Sequence, residues 1–357
     1  MLAVAFILFV LQYIAAEQMI QPMGFLSDCP GSSKPADIKP KSLKKLTMSV
    51  LGTGSLFEAN WTSYNYYKIK YLPDHPEIDF KNKKTLLYVP GYLDNIDAPV
   101  GRGFGQQYKE RGYNVIILES FTWTTDLWPV SARLLRPVGK YAAQMLATLT
   151  TLGLNPKDLE LLGVSLGGQT MSFIAKNYRN ITGQTIAKLV AVEPTGPCFR
   201  NLGPDERIDI SDGDFVLHIA SNIYGFGMTY PVGHVAFYVN GGEWQQSHIW
   251  YAPCGIICSH IRALLVWISA LNNPGKFIGV QCDSVEKAVR GDCFDKKDKV
   301  TNALDIFTDN SKPGIYFLPT RNSYPFYLAN KGVEFSSGFE YINNFLERVN
   351  KEDMMLV

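Results

Sequence analysis

Leu159-Glu-Leu-Leu-Gly-Val-Ser165-Leu-Gly-Gly-Gln-Thr-Met-Ser-Phe-Ile-Ala-Lys-Asn-Tyr178 is the stretch on which the fold turns. Leu159 to Gly163 is a short apolar run of strand character, and from Gly168 to Tyr178 the apolar residues fall at helical spacing. Gly163 and Gly167 flank Ser165 in a Gly-x-Ser-x-Gly turn. A Cβ on either glycine would strike the neighbouring strand or helix. Such a turn lifts a serine hydroxyl at the carboxyl edge of a sheet, at a helix N-terminus whose free amides favour negative charge. The Leu166 amide is the expected oxyanion donor. The bland alternative, a glycine-rich turn with a solvent-facing serine, is weakened by the strand before it and the helix after it.

Outward from the turn, short β-branched apolar runs bounded by turn residues read as buried strands: Thr85 to Val89, Tyr113 to Leu118, Ala187 to Val192 and Asp214 to Ser221. Val138 to Thr151 has helical spacing. Strands and helices therefore alternate, and the expected class is α/β, a mostly parallel central sheet with helices on both faces. No Pro/Gly linker with a change of composition interrupts residues 50 to 350, so 51–350 is expected as one domain. Asp28 to Lys45, rich in Pro, Ser and Lys, reads as part of an exposed N-terminal arm over 17–50.

The 357 residues are 46% apolar, enough for a large core, and 34 Lys plus Arg against 33 Asp plus Glu leave a formal charge of +1. That balance provides no field for nucleic acid or an anionic membrane. Met1 to Ala16 is an apolar run ending in Ala15-Ala16, read as a signal peptide and shorter than the roughly 20 residues of a membrane span. No transmembrane span is expected, and the protein is expected to be secreted. Six cysteines suit that compartment. Sequence proximity pairs Cys254 with Cys258 and Cys282 with Cys293, leaving Cys29 and Cys198 either bridged or free. Asn60-Trp-Thr and Asn180-Ile-Thr are glycosylation sequons.

A serine nucleophile needs a base, and the base an orienting acid. Among five histidines, the chain order Ser, acid, His admits His218, His234, His248 and His260 and excludes His75. Glu193, at the end of the strand after the turn, is the candidate acid.

Four elements in order resemble the pancreatic-lipase family: Gly163-Val-Ser-Leu-Gly-Gly168, Val192-Glu-Pro-Thr-Gly-Pro197, Gly233-His-Val-Ala-Phe-Tyr-Val-Asn-Gly-Gly242 and Cys258-Ser-His-Ile-Arg-Ala263. The similarity runs from about residue 84 to 328. It implies the α/β-hydrolase fold, here without the family's C-terminal β-sandwich. It also implies acyl transfer on lipid esters, phospholipid or acylglycerol, by Ser165 (nucleophile), His260 (base) and Glu193 (acid). His234 would then be structural, and His218 and His248 surface or satisfied polar residues. A second oxyanion donor is expected at Tyr92, after Val89-Pro90-Gly91. No cofactor is required and no colipase is expected.

Three positions depart from the family pattern: Glu193 replaces Asp, Pro90-Gly91 replaces His-Gly, and Ile219-Ala220-Ser221 replaces Ile-His-Thr. Insect yolk proteins keep the fold but lose the nucleophile, so a lipid-binding or storage role is the alternative; retention of Ser165 and His260 argues for catalysis. An esterase acting on small soluble esters is a further alternative. The family's lid lies between two cysteines, which here leaves only Gly255, Ile256 and Ile257, as in the phospholipase A1 branch. Trp244, Ile249, Trp250 and Tyr251 are read either as an apolar rim that meets lipid or as core. The run Pro204 to Asp212 resembles the family's structural calcium loop, with Asp209 and Asp212 carboxylates and the Arg207 carbonyl as ligands. It is one residue shorter upstream, which favours a plain acidic loop.

Overall fold

A computed structural model describes residues 24, 26, 29–54, 60–247 and 254–334. The proposed signal peptide, His248 and Ile249 to Tyr251 lie outside these. Among the described residues eleven strands form one sheet in the order β10-β9-β11-β8-β7-β6-β5-β3-β4-β1-β2. The central strands are β3 (Thr85–Val89), β4 (Asn114–Glu119), β5 (Leu159–Val164), β6 (Ile186–Val192), β7 (Gly213–Ala220), β8 (Val235–Val239) and β11 (Gly314–Leu318), joined by parallel pairings. Antiparallel strands close both edges: β1 (Thr47–Leu51) and β2 (Trp61–Asn65) beyond β4, and β9 (Ile278–Cys282) and β10 (Thr301–Ala303) beyond β11.

The central strands alternate between two cores because successive side chains point to opposite faces. Leu87, Val89, Leu161, Leu189 and Ala191 pack on one side, and Leu86, Tyr88, Leu162, Val190 and Val192 on the other. The first face is covered by α3 (Trp128–Thr151) and α4 (Leu166–Thr182), the second by α1 (Pro99–Glu110) and α5 (Ile256–Asn272). A short helix α2 (Phe121–Thr124) precedes α3, and α6 (Val285–Arg290) follows β9. Helix α3 starts ten residues before the periodicity predicts and runs through Pro137. Gly139 lets α3 and α4 approach closely, since a Cβ there would sit 2.4 Å from the Phe173 Cβ.

The N-terminal stretch is not an exposed arm. Ile38, Leu43, Leu46, Met48 and Val50 are buried in the first core, β1 lies in the sheet, and Cys29 is bonded to Cys198 across 169 residues. The Pro- and Lys-rich composition belongs to the exposed side of a short 3-10 turn, Pro40–Lys45, whose Leu43 faces inward. Apolar burial outweighs local polarity there, because several large side chains leave water together.

Strand β3 pairs with β4 on one side and β5 on the other, so the chain reverses direction of travel across the sheet between them. The crevice at the carboxyl ends of such strands is where α/β sheets place ligands.

Candidate active site

Ser165 sits in this crevice, between the end of β5 and the start of α4, at φ 54° and ψ −120°. That left-handed backbone costs about 1–3 kcal/mol. It is held by packing: a Cβ on Gly167 would fall 2.0 Å from the Val89 carbonyl oxygen. The hydroxyl is 3.2 Å from Thr195 Oγ1, and the Thr195 amide donates to the Ser165 carbonyl at 3.1 Å. Leu166 is the first residue of α4, so its amide belongs to the unsatisfied first turn. Tyr92 follows Gly91, whose added Cβ would lie 3.2 Å from the Ser165 Cβ, so this loop abuts the serine.

His260 lies on α5 and lines the same pocket as Ser165. Its Nδ1 is buried without a hydrogen-bond partner among the described residues, its ring stacks edge-on to Phe226 at 5.3 Å, and burial pushes its pKa down to about 4. It therefore rests neutral, as a proton acceptor must. Gly255, Ile256 and Ile257 do not form a lid loop: Gly255 caps α5, and Ile256 and Ile257 are its first residues. Cys254 and Cys258 are four apart, so their bridge staples one turn at the entry to this helix rather than closing a flap. Ile257 is 66% exposed and forms part of the pocket wall.

Glu193 is fully buried at φ 48°, beyond β6. Its Oε2 accepts from the Ser221 amide and lies 2.7 Å from Ser221 Oγ, and its Oε1 accepts from the Asn222 amide at 2.9 Å. No hydrogen bond joins it to His260, so the expected acid–base contact is absent. The longer Glu side chain is instead captured by the end of β7, where Gly227 makes room: a Cβ there would lie 2.0 Å from Glu193 Oε1. Burial raises the carboxyl to about 7, against the pull of its three donors and of nearby Arg200. Ser221 ties it to the helix that carries His260, though not to the imidazole, because Ser221 Oγ also lies 2.7 Å from the Ser259 carbonyl and accepts from the Ala263 amide at 3.1 Å. These two residues flank His260 on α5.

A pocket of about 520 Å³ holds Ser165 and His260 but not Glu193, and is walled by Tyr92, Leu93, Val100, Trp128, Phe226 and Leu264. The aromatic rings run in a chain, Tyr92 to Trp128 at 5.1 Å and Trp128 to Phe226 at 6.2 Å, ending on His260. A small apolar cleft with few polar groups is the usual form of a ligand site. Trp244 is 48% exposed. Trp128, Thr195, Ser221 and Phe226 escape a reading of the sequence. Ser221 alone carried a signal, as a departure from the family pattern.

The remaining expected residues lie elsewhere. His234 is structural, its Nδ1 accepting from the Val216 amide at 3.0 Å. His218 is neither exposed nor satisfied: it is buried on β7 with neither nitrogen bonded among the described residues, and burial drops its pKa to about 3. Tertiary packing, which the sequence does not display, encloses it. Asn60 and Asn180 are exposed. Cys282 and Cys293 are bonded, giving three disulfides with no free cysteine. Arg207, Asp209 and Asp212 are grouped on the loop before β7, where Arg207 and Asp212 engage Lys176 of α4. No helix among the described residues is long and apolar enough to cross a membrane.

The family model described as Lipase matches residues 29–326. Phospholipase A1 member A of Mus musculus is 29% identical over 185 residues, covering 51% of this chain and 40% of that protein. Pancreatic lipase-related protein 2 of Rattus norvegicus is 28% identical over 270 residues, covering 68% of this chain and 57% of that protein. The chain spans about half the length of these relatives. Among solved structures, an alpha/beta hydrolase enzyme from a Medee basin deep-sea metagenome library is similar at TM-score 0.30 and 13% identity, over 50% of this chain and 71% of that one.

Proposed function

The chain belongs to the lipase family, and on that premise we propose that it hydrolyses the carboxylic esters of lipids by acyl transfer through Ser165. The observation that carries this reading is the strained Ser165 backbone opening a helix inside an apolar pocket that also holds a neutral His260, whose Nδ1 has no hydrogen-bond partner among the described residues. Strain and an orphaned buried nitrogen cost stability and persist where chemistry uses them.

In the reaction, Ser165 Oγ attacks the ester carbonyl and His260 takes its proton. The Leu166 and Tyr92 amides receive the oxyanion. Collapse expels the alcohol, which regains the proton from His260, and water repeats the sequence on the acyl-enzyme to free the fatty acid. Glu193 is the acid of this proposal, acting on the imidazolium without a direct bond: Ser221 links it to the α5 backbone beside His260 and not to the ring. The alkyl chain lies along the Tyr92, Trp128 and Phe226 wall. Release of p-nitrophenol from a short acyl ester tests the nucleophile: Ser165→Ala should abolish it, and unchanged turnover would overturn the mechanism.

A second reading, lipid binding without hydrolysis, is favoured by the engagement of Glu193 away from His260. Covalent labelling by a fluorophosphonate separates the two, since only an activated serine is labelled. Phosphatidylcholine labelled separately on its two chains separates phospholipase A1 action from neutral lipase action. Secretion, with cleavage near Ala16 and glycans on Asn60 and Asn180, completes the proposal. It is supported by the three disulfides and the exposure of both asparagines.

A further inference from the structure

The loop between β6 and β7 carries two 3-10 turns, Pro204–Glu206 and Ile210–Asp212, and lies against α4. Its resemblance to a calcium loop places three oxygen sources there: the Arg207 carbonyl and the carboxylates of Asp209 and Asp212. Lys176, eleven residues after Ser165, reaches into them. Its Nζ donates to the Arg207 carbonyl at 2.8 Å, to Ser172 Oγ at 2.7 Å and to Asp212 Oδ1. An ammonium has three protons, and here all three are used. The Asp212 side chain is fully buried and that of Lys176 is 13% exposed.

The other carboxylate oxygens are also committed. Asp212 Oδ2 accepts from the Asp209 amide at 3.0 Å, and Asp209 Oδ1 accepts from the Ser211 amide at 3.0 Å, a reciprocal cap on the short turn. Asp209 Oδ2 stands 3.6 Å from Arg207 Nη1. Calcium takes six to eight oxygens at roughly 2.3–2.6 Å, mostly anionic. Two of the three oxygen sources are here bonded to a fixed positive charge, which would repel a divalent cation at the same contacts. Among the described residues no group of three or more His, Cys, Asp or Glu could hold a metal ion. The residues present do not fit calcium.

We infer that the Lys176 ammonium is the resident cation of this loop, a covalently carried substitute that pins residues 204–212 to α4 and makes the fold independent of calcium. The same helix gives the loop a line to the pocket. Gln169 accepts from the Ile208 amide at 2.9 Å and donates to the Thr195 carbonyl at 2.7 Å, and Thr195 holds Ser165. The inference stands whether or not Ser165 is catalytic.

Thermal unfolding of the full chain in EGTA and in millimolar calcium chloride tests it directly. The natural protein should show the same Tm in both, within about 1 °C. Removing one partner of a buried pair strands the other, so Lys176→Met should lower Tm by on the order of 5–10 °C. A natural-sequence Tm that drops several degrees in EGTA and recovers with calcium would overturn the inference, as would a Lys176→Met protein as stable as its parent. If that variant does not fold, terbium luminescence on the natural protein decides: saturable sensitised emission displaced by calcium contradicts the inference, and its absence supports it.

Discussion

Two buried polar clusters share helix α4 and are built in opposite ways. Around Lys176 every donor of the ammonium has an acceptor and the partnering Asp212 is saturated. Around Ser165 the serine and Glu193 both hold left-handed backbone, and His260 Nδ1 has no partner among the described residues. The ion pair at Lys176 is the costlier group to bury, and it is the one whose bonds are all made. Saturation holds a loop still, whereas backbone strain and an unsatisfied buried nitrogen are costs that persist where chemistry uses them. The contrast sets a saturated polar cluster on α4 beside one at its N-terminus whose strain and unpaired nitrogen suit the proposed chemistry.

The contrast can be broken most sharply at the serine. Ser165→Ala should cut ester hydrolysis by on the order of 10⁴-fold or more. Its Tm should stay at or slightly above that of the parent, because among the described residues the hydroxyl's only side-chain partner is Thr195. A large loss of Tm would place Ser165 with the structural cluster instead.

The acidity of the site gives the next effect. In the proposed mechanism Glu193, raised to about 7 by burial, must be ionised to stabilise the imidazolium. The group is charged above its pKa, so kcat/KM should climb as pH rises and fall about tenfold per unit below 7. Glu193→Gln should flatten that limb, leaving the decline near pH 4 where His260 becomes protonated. An unchanged limb in the variant would dissociate Glu193 from the chemistry.

Smaller effects test how the parts are held. Ser221→Ala removes the hydroxyl between Glu193 and α5, and a charge-assisted hydrogen bond of this kind is worth about tenfold in rate. That loss should appear in kcat with KM unchanged, and the pH limb should shift, which simple loosening of the fold would not produce. Thr195→Val should raise kcat roughly two- to tenfold by freeing the Ser165 hydroxyl from its resting partner. A fall would mean that Thr195 positions Ser165 rather than restrains it.

Local features carried most of the fold. The apolar runs located β3 to its limits and β4 through β7 to within a residue at each end. The turn at Gly163 to Gly167 was legible because strand, glycine, serine, glycine and helix follow one another without a gap. The cysteine pairs at four and eleven residues' separation were legible by the same nearness. The features that escaped depend on distant chain. Leu43 and Leu46 look like residues of a polar arm until the sheet arrives to bury them. Gly255 to Ile257 look like a lid until the helix is seen to start there.

By itself the sequence determined the strand order of chemistry: a serine on a strand-to-helix turn, a carboxylate after the next strand, and a histidine beside a cysteine staple. Those are statements about neighbours in the chain, where covalent geometry and side-chain period act directly. Only the tertiary structure decided which of them meet. The extra methylene of Glu193 sends its carboxylate to Ser221 and Asn222, and Lys176 reaches a loop thirty-six residues away to bond Asp212. A hydrogen bond is satisfied by whichever group packing brings within about 3 Å, and the fold alone sets that distance.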